Sequence, residues 1–366
     1  MIPGRATPEA TRGFADRSNA AEGHFRKTSS GLSLSSVGLG TYLGAEDAST
    51  DAGYESCIQQ ALSCGVNVFD SAINYRGQKS ERAIGRAIAR AVADKTASRE
   101  EVFVSTKGGY LPHDADDPRE PRRYILETFV ESGIAPRSEI AQGGHCLAPG
   151  YLEDQIARSQ KNLGLATIDL YYLHNIESQK ISVNRAEFFR RLAAAVETLE
   201  AAVTAGRIAA WGLATWDGLR APPEHPEHLS IADTLAAARA VAGESHHFRA
   251  VQLPFNLAMA QAVAFPSQAV GEKRLPALAA AAELGLAAFG SASLLQGRLA
   301  GDLPEEIVDA FPEAQTGGQR GLQFARSAPG MTTSLVGVSR IEHAKDNFAL
   351  AGVPPAPPEK VMGLFE

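Results

Sequence analysis

"VNVFDSAINYRGQKSERAIGRAIARAVAD", residues 66–94, passes from a short apolar run to a turn and then to an Ala-rich stretch with helical spacing. The run reads as a buried strand and the stretch as a helix packed beside it. The same unit recurs along the chain. Apolar runs stand at 35–40, 66–70, 102–106, 168–173, 208–213, 250–254, 286–290 and 333–337. Between them lie helical patterns such as "YESCIQQALSCG", "YLEDQIARSQKNLG" and "EFFRRLAAAVETLEAAVTAG", and the last unit ends in "RIEHAKDNFALAG". Near-continuous apolar strands alternating with helices imply a parallel sheet covered on its outer face. Eight such units predict an α/β fold, a closed (β/α)8 TIM barrel.

The punctuation supports that reading. Gly65, Gly164, Gly206 and Gly285 each close a helical pattern just before the next apolar run, as glycine does past a helix end. The alternative, an open doubly wound sheet, lacks the Gly-x-Gly-x-x-Gly that would follow its first strand. Upstream, "HFRKTSSGLSLSSVG" (24–38) predicts an N-terminal hairpin that closes the bottom of the barrel. Residues 1–23 read as a flexible, polar leader, leaving 24–366 as a single barrel domain. One connection breaks the rhythm: a long insertion after strand 3, at about residues 110–150, contains "RRYILETFVESG" as a helix. Connections of that length act as lids or binding segments.

With 44% hydrophobic residues in 366, the chain can bury a core of barrel size. A net charge of -7 with no run of Lys or Arg argues against nucleic acid as a partner, because phosphate contacts require clustered cations. No apolar run approaches the roughly 18 residues of a membrane span, and the first residues lack the apolar core of a signal peptide. Cys57 and Cys64 sit in a helical pattern as ordinary buried thiols, which fits a reducing cytoplasm. A small molecule is the expected partner; the oligomeric state is not encoded in any motif.

In a parallel barrel the chemistry sits at the carboxyl ends of the strands. The first strand ends at Gly40 and Thr41, the second at Asp70 with Tyr75 just beyond, the third at Lys107, the fourth at His174 and the sixth near Gln252. A phenol donates a proton poorly at neutral pH unless a cation favours its ionised form. Lys107 is expected to lower the pKa of Tyr75, Asp70 to anchor the ammonium, and His174 to orient a substrate oxygen. An acid that protonates an alkoxide pairs with a hydride donor, and no side chain is one, so a nicotinamide cofactor is implied.

These residues carry a resemblance. "GLGTY" (38–42), "FDSAINYRGQKSERAIGRAI" (69–88), "VFVSTKGG" (102–109), "NLGLATIDLYYLHN" (162–175), "GRIAAWGLATW" (206–216), "VQLPFNL" (251–257), "AFGSASLLQGRL" (288–299) and "TSLVGVSRIEHAKDNFAL" (333–350) follow one another as in an aldo-keto reductase, which this chain resembles from about residue 24 to 352. The resemblance implies reduction of an aldehyde or ketone with Asp70, Tyr75, Lys107 and His174 as the catalytic tetrad. It also implies NADPH, with NADH not excluded, bound across the barrel mouth. The cofactor residues it implies begin with Gly40, Thr41, Tyr42, Thr215 and Gln252. Phe289 would stack on the nicotinamide ring, with Gly290, Ser291 and Ser293 beside it. Ser339, Arg340, His343 and Asn347 would take the 2′-phosphate and adenine. One departure concerns the carboxamide grip: the family has Gly-Val-Ser-Asn where this chain has Gly212-Leu213-Ala214-Thr215.

His145 and Cys146, at the end of the insertion, are expected to be brought with Trp216 toward the substrate. Glu81 reads as a helix-surface or structural carboxylate. No metal is expected: the pairs His225/His228 and His246/His247 lack cysteines or an ordered carboxylate partner. Two other classes stay open on sequence alone: a cofactor-binding barrel acting as sensor or subunit with little turnover, favoured by Ala214, and a cofactor-free or metal-dependent barrel lyase or hydrolase.

Overall fold

The computed structural model describes residues 1–365. Eight strands, β1 (Val37–Gly40), β2 (Val68–Asp70), β3 (Phe103–Gly108), β4 (Leu170–His174), β5 (Trp211–Ala214), β6 (Phe248–Pro254), β7 (Ala287–Ser291) and β8 (Thr333–Gly337), close into one barrel. Each pairs in parallel with the next, and β8 returns to β1. The helices that cover it are α1 (Ala48–Ser63), α2 (Lys79–Ala93), α3 (Pro149–Leu163), α4 (Arg185–Thr204), α5 (Ile231–Ala242), α6 (Ala277–Glu283), α7 (Gly317–Arg326) and α8 (Ile341–Phe348). All eight apolar runs of the sequence thus became barrel strands. Among the described residues no helix is long and apolar enough to cross a membrane.

Two cores result. The larger lies between strands and helices and gathers Leu39, Phe69, Ile84, Ile156, Leu173 and their neighbours. The smaller fills the barrel interior with Val68, Phe103, Leu170, Tyr172, Phe289 and Leu335. There the rings of Phe103 and Phe289 stack at 5.8 Å, and Tyr172 meets Phe289 edge-on at 6.3 Å. Each such ring contributes roughly 1.5–3 kcal/mol by burial. The antiparallel hairpin Phe25–Lys27 with Ser33–Ser35 lies at the amino end of the barrel, where Leu34 joins the interior cluster.

The expected flexible leader is instead built into the barrel base. Residues Pro8–Arg17 form a helix capped by Thr7, whose hydroxyl accepts from Ala10 N at 3.2 Å, with Pro8 in the first turn. Phe14 and Thr11 are buried. Ile2 exchanges backbone bonds with Gly164 and Ala166, and Ala6 N donates at 2.6 Å to Asp169, itself paired with Arg99 at 2.8 Å. The polar composition hid three apolar anchors, Ile2, Ala6 and Phe14, and a Thr-Pro-Glu helix start.

The long connection between β3 and α3 has its own small core of Tyr124, Phe129, Ala135, Cys146, Ala148 and Tyr151. Its helix, Pro121–Ile125, runs on as a wider turn over Leu126–Val130. Salt bridges from Lys79 to Asp116 and from Arg82 to Asp114, at 2.6 and 2.7 Å, clamp it to α2. A short antiparallel pair, Ile140–Ala141 with His145–Cys146, leads it back to the barrel.

Candidate active site

Parallel register sets Gly40 beside Asp70 and Asp70 beside Ser105, while His174 aligns with Ala214 and Ala214 with Gln252. The strand ends therefore converge at one mouth. Asp70 is buried there and accepts from Lys107 Nζ at 2.5 Å, Ser105 Oγ at 2.7 Å and Gln252 Nε2 at 2.9 Å. The ammonium of Lys107 donates also to the Ser71 carbonyl at 2.7 Å. A buried ion pair persists only when such extra bonds satisfy its remaining groups.

Tyr75 leaves the rim on a tight loop. Its N–H donates to the Ala72 carbonyl, and Arg76, Gly77 and Gln78 that follow all have left-handed backbones, with φ of 49°, 54° and 70°. The strain at Arg76 is held by its guanidinium, which donates to the Ala45 carbonyl at 2.7 Å and to Asp51 at 2.6 Å. The Tyr75 ring then stands edge-on to Tyr42 at 5.0 Å and to His174 at 5.9 Å. Lys107 Nζ lies over it, 4.9 Å from its centre.

The electrostatics correct one expectation. Burial, and then the Asp70 carboxylate, push the Tyr75 phenol well above its ordinary pKa rather than below it. The Lys107 charge is committed to Asp70 and Ser71, and burial also lowers the lysine's own pKa. Burial, with the charge of Lys107, holds His174 well below the usual histidine range, so its imidazole is neutral. Its Nδ1 is buried without a partner. The mouth thus presents a protonated phenol and a neutral imidazole around a self-neutralised ion pair.

A cavity of about 400 Å³ opens over this group. Of the residues expected at a cofactor, Gly40, Thr41, Tyr42, Thr215, Gln252, Ser291 and Ser293 line it, as do His343 and Asn347 at its far end. Trp216 lines it too, its N–H held by Glu177 at 2.7 Å. The Thr215 hydroxyl is buried without a partner. Sequence reasoning missed Asn175, Thr316 and Asp346, which also line the cavity. Asn175 was legible as the residue after His174; Thr316 caps α7 from a loop with no chemical motif, and Asp346 lies in α8 between His343 and Asn347.

Several expected residues stand elsewhere. Phe289 is an interior plug one layer below the rim, stacked on Phe103 and bordering a second cavity of about 380 Å³ at the opposite end of the barrel. Strand β7 runs two residues past it, so Ser291 occupies the rim. Gly290 packs against Met331, where a Cβ would come within 2.9 Å. Ser339 and Arg340 lie off the cavity; Arg340 is exposed at the start of α8, and the Ser339 carbonyl packs on Gly53. Cys146 is buried in the core of the insertion, with its thiol pushed up to about 11 by burial. His145 is buried behind His174 and does not reach the cavity. Glu81 is structural, accepting from Thr106 and Asn162. Among the described residues no cluster of three or more His, Cys, Asp or Glu is placed to hold a metal ion.

Fold and site together define a (β/α)8 barrel with an Asp-Lys pair, a tyrosine and a histidine at its carboxyl mouth. The model of the aldo/keto reductase family matches residues 36–221, and the chain belongs to that family. It is 27% identical over 191 residues to an NADH-specific methylglyoxal reductase of Escherichia coli (strain K12), covering 51% of this chain and 50% of that protein. It is 23% identical over 209 residues to a putative voltage-gated potassium channel subunit beta of Schizosaccharomyces pombe, covering 57% and 49%. The chain thus spans about half the length of these curated relatives. Among solved structures it resembles an aldo/keto reductase from Klebsiella pneumoniae in complex with NADP and acetate, with a TM-score of 0.62, 19% identity and coverage of 93% and 94%. An aldo-keto reductase from Bacillus halodurans in its holo form gives 0.61 at 16% identity, covering 93% and 95%.

Proposed function

We propose that this protein is an NADPH-dependent oxidoreductase that reduces an aldehyde or ketone to the alcohol, with Tyr75 as the proton donor. The observation that carries the reading is the juxtaposition of Tyr75 and His174, rings 5.9 Å apart, over the Lys107–Asp70 pair at the cavity floor. Bound nicotinamide would supply a hydride to the carbonyl carbon. Everything else falls to this chain's own groups. Neutral His174 donates a hydrogen bond to the carbonyl oxygen and orients it. The Tyr75 O–H passes its proton to the oxygen as negative charge develops there. A raised phenol remains a competent donor, because an alkoxide is a far stronger base than a phenolate. Lys107 lies beside the ring, 4.9 Å from its centre, with its charge already paired to Asp70.

The cavity fits the cofactor's chemistry. The unpartnered Thr215 hydroxyl and the Gln252 side chain suit a carboxamide, and Ser291 and Ser293 offer hydroxyls along the β7 rim. His343 and Asn347, with the Asp346 carboxylate, suit an adenosine at the far end. Fluorescence titration with NADPH and with NADH, followed by single-turnover oxidation with a panel of aldehydes and ketones, tests the reading. Failure to bind either nucleotide overturns it. A second reading, a nicotinamide-binding barrel with little turnover, is favoured by Ala214 and by Ser291 in place of an aromatic at the β7 rim. Tight binding without oxidation supports that one instead.

A further inference from the structure

We infer that His145 is a positioning residue that fixes His174 from behind, so that the insertion after β3 acts as a brace and not as a lid. The inference rests on the role proposed for His174. His145 is fully buried, and its Nε2 lies 2.6 Å from the His174 carbonyl oxygen. The direction of that bond follows from the other nitrogen. Gln179 Nε2, which only donates, stands 3.1 Å from His145 Nδ1, so Nδ1 accepts and Nε2 carries the hydrogen. The same Gln179 amide donates to the His145 carbonyl at 2.8 Å, and its oxygen accepts from Arg191 at 2.7 Å. Arg191 in turn bonds the Ser138 carbonyl at 2.8 Å and Glu187 at 2.7 Å. A directed chain of hydrogen bonds therefore runs from α4 to the backbone of His174.

The site is built tightly around this bond. His174 ends β4, and Asn175 after it turns left-handed with φ of 48°, so the strand pattern does not continue past the carbonyl. Gly109, with φ of 151°, passes close enough that a Cβ there would stand 2.6 Å from His145 Nε2 and 2.9 Å from His174 O. Tyr110 sets its edge against both imidazoles, at 5.1 and 5.2 Å. Burial keeps His145 neutral by lowering its pKa to about 4, so the donor persists at neutral pH. No substrate-facing atom is needed for this role, and none of His145 lines the cavity.

The test compares His145→Leu with His145→Gln in the full chain, measuring nucleotide affinity by fluorescence, kcat and KM for a reduced carbonyl, and the His174 ring resonances by long-range 1H–15N spectra. His145→Leu is expected to leave nucleotide affinity unchanged, to raise KM for the carbonyl and to lower kcat/KM by roughly tenfold to a hundredfold, as a small misplacement of an orienting group does. His145→Gln, which still carries an N–H donor, should restore most of the loss. Wild-type kinetics in His145→Leu, or loss with no restoration by glutamine, overturns the inference. Gln179→Met, which frees Nδ1 without touching His145, provides a second reading of the same change if the leucine variant does not fold. If the wild-type protein reduces no carbonyl, the proposed function fails separately. The brace is then judged by the His174 resonances alone: displaced in His145→Leu, it stands; superimposable on wild type, it falls.

Discussion

Lys107 donates to Asp70 at 2.5 Å while its ammonium lies over the ring of Tyr75, 4.9 Å from the ring centre. The lysine is therefore a shared element, neutralising a buried carboxylate and facing the proposed acid. Lys107→Met should strand the Asp70 carboxylate and destabilise the fold by about 3–5 kcal/mol. The double variant Lys107→Met/Asp70→Asn should recover a large part of that loss, and denaturant melts of Lys107→Met, Asp70→Asn and the double variant measure it. Additive losses would mean that the two groups do not act as a pair.

Phe289 plugs the barrel interior against Phe103. Phe289→Ala should destabilise the fold by about 3–5 kcal/mol through the cavity it leaves, while nucleotide affinity stays unchanged. A large loss of affinity with little loss of stability would return Phe289 to the cofactor site.

The buried hydroxyl of Thr215 has no partner in the protein. Thr215→Val should then cost the free protein little, because no bond is lost. It should weaken nucleotide binding by up to about tenfold, the worth of one neutral hydrogen bond. Paired melting curves and fluorescence titrations check both halves; unchanged affinity would remove Thr215 from the cofactor's contacts.

Glu177 supports the Trp216 backbone, and burial raises its pKa to about 7. Its folded pKa exceeds the unfolded value, so its favourable share is complete below the unfolded pKa of about 4.3 and is lost as pH rises through about 7. The full loss is about 4 kcal/mol. Glu177→Gln keeps an oxygen acceptor and removes the titration. Its melting temperature relative to wild type should therefore climb between about pH 4 and pH 7. A pH-independent difference would contradict the raised value.

The strands, and the residues at their ends, were legible because each carries a local signal: a short apolar run closed by Asp70, Lys107 or His174. Depth was not legible. Phe289 and Ser291 share a strand face, and only the barrel's register puts one in the interior and the other at the rim. The direction of the Tyr75 shift was hidden too, since it depends on how far burial and Asp70 outweigh a lysine already bonded elsewhere. His145 read as a residue near the substrate because its loop returns to the mouth; its partner, a backbone carbonyl, has no signature in sequence. In the first residues, a polar average concealed a capped helix with Phe14 on its buried face.

The central claim is that Tyr75 protonates a carbonyl reduced by nicotinamide. Its most direct test is single-turnover oxidation of bound NADPH by an aldehyde in the wild-type protein and in Tyr75→Phe, with nucleotide affinity measured in both. The expected result is rapid oxidation in wild type and its loss in Tyr75→Phe, with affinity unchanged. Equal oxidation rates in the two proteins would contradict the account.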